Sequence, residues 1–366
     1  MTRILVGLTT WAAIAGCSDK KQDSDWLQQL AGEQQEFATP SPSNKIAFPQ
    51  DHAPHKNYRQ EWWYLTANLE AESGEKFATQ WTLFRVGKDK RHWYFAHAAL
   101  ADTRRHLSAF RDGREAMGNV RVETQPFSAT IDDWSWLSTA DFLPANLSYG
   151  SHSSLAVGQK LSQEQTKKQG IKPWRVDLKL TGPGHFYLQG DKGFSKKHPQ
   201  LDIASHYYSQ PFIDVSGSIL WQGQRLRVSG SAWFDREWGS QVLAPDQQGW
   251  DWFSLRLDKD TALMVYRIRS DRQDMLYGSL MHRDGRIETL TAQQIKLTVA
   301  LDKKDADDVY PQEFIIEIIH KAIDLNIKLV NKDQTMRFGF EYFEGMVSFD
   351  GSHQGVGFVE MTGYRR

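Results

Sequence analysis

Cysteine is nearly absent: Cys17 is the only one in 366 residues, so no disulfide forms within one chain and no thiolate cluster can hold a metal. An excess of one charge is missing too. Lys and Arg number 44 against 45 Asp and Glu, and a net charge of −1 gives no electrostatic footprint for nucleic acid. Long apolar runs are also lacking. The run from Ile4 to Ala15 is too short to span a bilayer as a mature helix. Helical periodicity is scarce. No Gly-x-Ser-x-Gly elbow, no His-Glu-x-x-His pair and no Gly-rich phosphate loop after a strand is present. His52 and His55 fall in a Pro-containing loop, a poor metal site, so neither metal nor cofactor is expected.

The start of the chain has a clear pattern. Arg3, a short apolar stretch and then Gly16-Cys17 form a secretory signal, residues 1–16. A lone Cys directly after Ala-Gly matches the bacterial lipoprotein box, in which cleavage leaves a lipidated Cys as the first residue. By resemblance to bacterial lipoprotein sorting, Ser18 in place of Asp favours the outer membrane, facing the periplasm. Residues 17–49 then read as the lipidated Cys and a polar tether.

What the chain does have is aromatic residues, with 14 Trp, 12 Tyr and 19 Phe. From about residue 58 they fall in short alternating runs such as Phe77–Arg85, Trp93–Ala99, Trp174–Leu180, His185–Leu188 and Leu226–Trp233, punctuated by Gly and Asp. This predicts an all-β chain whose antiparallel sheets close into barrels and so lose their edges. An internal repeat divides it. Trp62-x-Tyr64 lines up with Trp250-x-Trp252, and Gly217, Gly223 and Gly230 space nearly like Gly345, Gly351 and Gly357. Two domains are predicted, 50–242 and 246–366, with a linker at residues 244–248.

The densest stretch lies at the join. Residues 231–253 set Asp235, Arg236 and Glu237 between Trp233 and Trp238, then add Trp250, Asp251 and Trp252. Strand alternation puts Trp233, Asp235 and Glu237 on one face, with Phe234, Arg236 and Trp238 on the other. A carboxyl between an indole and a second carboxylate has a raised pKa and can serve as an acid catalyst. The competing reading is a buried ion-paired clasp that includes Arg267 or Arg269 and catalyses nothing. Glu61 faces a similar choice between second acid and strand-end pairing, and His97 reads as a packed core residue.

These motifs carry a resemblance. Glu61-Trp-Trp-Tyr64, Ser205-His-Tyr-Tyr-Ser209, Ala232–Trp238, Gly249–Leu255 and Val356–Tyr364 resemble the AttH-like, lipocalin-like proteins related to carotenoid 1,2-hydratase (hydroxyneurosporene synthase). The resemblance spans the mature chain. It implies two tandem lipocalin-like antiparallel β-barrels. For the hydratase branch it implies acid-catalysed addition of water to an isolated alkene, with Asp235 as proton donor and His206 beside it. Tyr207, Tyr208, Trp233 and Glu237 would line the ligand site. Tyr208 and Trp233 stand where the pigment-pathway branch is expected to carry Trp and Tyr, which alters cavity shape. Two functional classes follow: a hydro-lyase or hydrolase, and a non-catalytic lipid carrier. Both take an apolar, isoprenoid or lipid-like molecule inside a barrel of a monomeric envelope lipoprotein.

Overall fold

The structure is a computed structural model and describes residues 37–88, 91–151, 172–300 and 310–364. The signal segment, Cys17 and the first part of the tether lie outside the described residues. Among those described, the chain is all β apart from short 3-10 turns.

The first sheet holds β1 (Gln60–Ala71), β2 (Lys76–Lys88), β3 (Arg91–Ala101), β4 (His106–Gly113), β5 (Val120–Thr124), β6 (Phe127–Ile131), β7 (Trp134–Ser138), β8 (Ala145–Gly150), β9 (Arg175–Thr181), β10 (Tyr187–Leu188), β11 (Phe194–Lys196), β12 (Ala204–Trp221) and β13 (Gln224–Gly239). Its main order is β4-β3-β2-β1-β13-β12-β9-β8-β7-β6-β5. The second sheet holds β14 (Gln247–Arg256), β15 (Thr261–Ser270), β16 (Met275–His282), β17 (Ile287–Leu290), β18 (Ile295–Ala300), β19 (Glu313–Ile318), β20 (Ile323–Leu329), β21 (Thr335–Phe338), β22 (Phe340–Gly351) and β23 (Gly355–Thr362). Its order is β17-β16-β15-β14-β23-β22-β20-β19-β18. Both are antiparallel sheets that curl into nearly closed barrels.

Alternation builds three apolar layers from these strands. Trp63, Leu65, Phe234 and Trp238 point into the first barrel, where they meet Trp81, Trp134 and Trp136. Phe253, Leu255, Val347 and Val359 fill the second. The intervening residues face outward and form the third layer: Tyr64, Tyr207 and Trp233 of the first sheet meet Trp252, Met264 and Tyr266 of the second. The expected strands appear, with His185–Leu188 reduced to the two-residue β10.

The repeat has a physical basis. β1 and β14 each pair with the next strand and with the last strand of their sheet. The aligned pairs Trp62/Trp250 and Tyr64/Trp252 all belong to the layer between the barrels, and Tyr64 meets Trp252 edge-on with centroids 5.5 Å apart. Gly230 and Gly357 serve the same purpose. A Cβ on Gly230 would lie 2.0 Å from the Asn68 carbonyl oxygen, and one on Gly357 would lie 2.4 Å from that of Ser254.

The linker is not slack. Leu243 and Ala244 are buried, and Gln247 donates from Nε2 to the Lys197 carbonyl at 2.7 Å. The described end of the expected tether is folded as well. Ala38 and Ile46 pack on the first barrel, and Ser240 Oγ donates to the Ala38 carbonyl at 2.5 Å.

Candidate active site between the barrels

The cavity lies outside both barrels, in the seam between them. Trp62, Tyr64, Phe84, Phe95, Tyr207, Asp235 and Glu237 line it from the first sheet; Trp250, Trp252, Tyr266, Phe340, Tyr342, Glu344 and Glu360 line it from the second. Its empty volume, mouth included, is about 1030 Å³. This corrects the expectation that a barrel interior holds the ligand. The same alternation that fills each barrel sends every second aromatic outward, and those outward rings make the walls.

Register fixes the wall that holds Asp235. Opposite residues of an antiparallel pair share a face. Tyr64 and Ser209 both sit opposite Asp235, while Trp62 and Tyr207 sit opposite Glu237. Asp235 accepts from Ser209 Oγ at 2.5 Å and from Trp233 Nε1 at 3.0 Å. Burial raises its pKa to about 7, and the hydrogen bonds from Ser209, Trp233 and Tyr207 only partly offset that. Near pH 7 this carboxyl is therefore partly protonated inside an aromatic wall, as an acid catalyst must be.

The clasp reading is corrected in detail. Arg267 and Arg269 bind Asp251 at 2.7 and 2.5 Å, together with the Tyr364 hydroxyl at 2.8 Å. Glu237 pairs with Lys197 at 2.5 Å and accepts from Ser205. Arg236 turns to the other face, where it and Arg85 share Glu61. Burial alone would raise the Glu61 pKa, but Arg236, the hydrogen bond from His55 and then Arg85 hold it well below the usual carboxylate range. Glu61 is thus the pairing residue, not a second acid. Of the four carboxylates Glu61, Asp235, Glu237 and Asp251, Asp235 alone has no cationic partner among the described residues.

His206 and Tyr208 do not join this wall. They sit opposite Trp238 and Arg236, so they face the first barrel. His206 packs against Tyr58 and Trp238, and burial lowers its pKa to about 4. It neither orients a water at Asp235 nor tunes it. Tyr208 hydrogen-bonds His52 Nδ1 at 2.6 Å. Trp233 supports the site through its indole N–H and stacks edge-on to Trp252. His97 is buried, and its Nδ1 meets the hydroxyl of the cavity-lining Tyr342 at 2.9 Å.

Sequence reasoning missed four residues. Ser209 was legible in principle, being two positions from Tyr207 on the same strand. In the sequence Tyr64 stands out only as the counterpart of Trp252 in the repeat. Glu344 and Glu360, from β22 and β23, left no local signal. Glu344 sits opposite Glu360 in the ladder and accepts from the Tyr64 hydroxyl, while Glu360 accepts from Trp250 Nε1 at 2.7 Å. Burial, then the neighbouring Glu360, raises the Glu344 pKa strongly; burial raises that of Glu360 to about 7.

Fold and site together define a tandem lipocalin-like barrel protein with an aromatic, carboxyl-lined cavity at the join. Residues 39–364 match the AttH-like family, and the chain belongs to that family. A crystal structure from Nitrosomonas europaea assigned to AttH is similar, at 30% identity over 90% of this chain and all 100% of that one, with a TM-score of 0.76. Kievitone hydratase from Nectria haematococca shares the fold at 14% identity, over 89% of this chain and 98% of that one, with a TM-score of 0.64. CghA with Sch210972 shares it at 12% identity, over 90% and 96%, with a TM-score of 0.51. No curated protein matches the chain in sequence.

Proposed function

We propose that this protein is a hydratase-type acid catalyst acting on an apolar, isoprenoid- or lipid-like molecule held between its two barrels. The observation that carries this reading is Asp235: a fully buried carboxyl with a pKa near 7 in the wall of an aromatic cavity. Hydrating an unactivated alkene needs a positioned proton donor, a dry wall and a surface that tolerates a developing cation. Asp235 supplies the proton, and the faces of Trp62, Trp250 and Trp252 stabilise the cation. Ser209 and Trp233 orient the carboxyl. That a hydratase exists on this fold is consistent with the reading. A non-catalytic carrier has the same cavity but no use for a protonated Asp235.

The test uses the mature domain purified under mild extraction. An apolar molecule is expected to co-purify and to be identified by mass spectrometry. Incubation of trisubstituted alkenes in ¹⁸O-labelled water is expected to give alcohols that carry the label. A bound ligand with no label incorporation across isoprenoid substrates would favour the carrier.

The same reading places the cavity beside membrane lipid, through a lipid on Cys17. Cys17→Ser is expected to abolish incorporation of labelled palmitate and to move the protein from the outer-membrane fraction to the soluble fraction. Unchanged membrane association would sink the anchor.

A further inference from the structure

The cavity contains more acid than the chain neutralises. Five of its lining residues are carboxylic: Asp235, Glu237, Glu344 and Glu360 on the seam face, and Glu61, whose carboxylate turns into the first barrel to meet Arg85 and Arg236. Its two cationic lining residues are already committed, Arg85 to Glu61 and Lys197 to Glu237. Glu344 and Glu360 form the densest part of the remainder. They sit opposite one another on β22 and β23, on strands that belong to the second barrel, and among the described residues no Lys, Arg or His pairs with either. The groups around them are the Tyr64 hydroxyl from β1, Tyr342 from β22, Trp250 from β14, the Lys197-paired Glu237 on β13, which acts on Glu360, and, beyond Tyr64, Asp235 on β13. Glu344 is fully buried, and its Oε2 has no hydrogen-bond partner.

A buried polar atom without a partner is uncommon in a folded protein and calls for an explanation. So does a pair of carboxyls that burial and mutual repulsion keep from ionising together. Both are explained if the missing partner arrives with the ligand. A cationic head would pair with Glu344 and Glu360, and the rings of Trp62, Trp250 and Tyr342 would offer it their faces. The apolar body would run along Phe84, Phe95 and Phe340.

We propose that the cavity selects an apolar molecule bearing a cationic nitrogen, with the Glu344–Glu360 pair as its counter-charge. This deepens the functional reading by naming the head group and rests on it only for the location of the ligand. Binding has a proton balance. The carboxyl that ionises against the incoming cation releases its proton to solvent, so a ligand of fixed positive charge binds more tightly as pH rises. A neutral ligand of the same length lacks that linkage.

The test compares decyltrimethylammonium, below its micelle concentration, with decanol on the full mature chain, by calorimetry at pH 5.5 and pH 8. The cation is expected to bind at least tenfold more tightly at pH 8 than at pH 5.5, with proton release seen in buffers of different ionisation heat. Glu344→Gln and Glu360→Gln are each expected to remove at least tenfold of that affinity and to leave decanol unchanged. Equal affinity for both probes, or cation binding untouched by both substitutions, would overturn the inference while leaving an apolar cavity in place. Binding of neither probe would instead count against the cavity as a ligand site. Decanol binding serves as the check that each variant is folded.

Discussion

Asp235→Asn is expected to lower turnover by a factor of about 10² to 10⁴, the usual contribution of a positioned general acid, while ligand still binds. Asn keeps the volume of Asp235 and an oxygen that can accept from Ser209, so the wall stays packed. What it cannot do is give up a proton. In the wild type the protonated form is the competent one, so the rate should be flat below a pKa of about 7 and fall tenfold per pH unit above it. Turnover by the Asn variant at wild-type level would end the acid role.

The same substitution has a stability signature of definite sign. The folded pKa of Asp235 is raised from 3.8 to about 7, so between those values the folded state holds a proton that the unfolded state has lost. This group's contribution therefore falls as pH rises through that window, by up to about 4 kcal/mol. Asp235→Asn removes the dependence. The Tm difference, variant minus wild type, is expected to be larger at pH 8 than at pH 4. Unfolding of the variant at every pH would instead mark Asp235 as a structural residue.

Glu61→Gln is expected to have the largest structural effect. Glu61 is the shared counter-charge for Arg85 and Arg236, both fully buried inside the first barrel, with Arg236 stacked 3.9 Å over Trp63. Backbone carbonyls of Ala53, His55 and Tyr58 also accept from these guanidiniums, but they do not neutralise them. Breaking one side of such a network leaves buried charge uncompensated and costs about 3–5 kcal/mol. The pH dependence runs opposite to that of Asp235. Glu61 has a depressed folded pKa, so its stabilisation is present above the unfolded value of 4.5 and is lost as pH falls below it. Thermal melts should show a wide gap between wild type and Glu61→Gln at pH 7 that narrows below pH 4.5. A gap of under 1 kcal/mol at pH 7 would mean that the carbonyls suffice.

These two residues show how far the sequence reached. Alternation along one strand put Asp235 and Glu237 on a different face from Arg236, and β13 has that arrangement. The resemblance placed His206 beside Asp235. His206 is one residue away from Tyr207, and in a strand one residue is the difference between the cavity and the barrel core. The charge pairing was also out of reach. Arg236 finds a carboxylate 175 positions away, and Arg267 and Arg269 pair with Asp251 and not with Asp235.

The sequence by itself determined the all-β character, the two related halves and the Asp235 face, because period-two alternation, turn residues and repeated motifs are local properties. Only the tertiary structure decided where the cavity lies and which acids share it. A barrel strand has two apolar faces here, one for its own core and one for its neighbour, and composition does not distinguish them. Glu344 and Glu360 reach Tyr64 and Trp250 because the second barrel packs against the first. The unpaired carboxyls of the seam exist only in that packed arrangement.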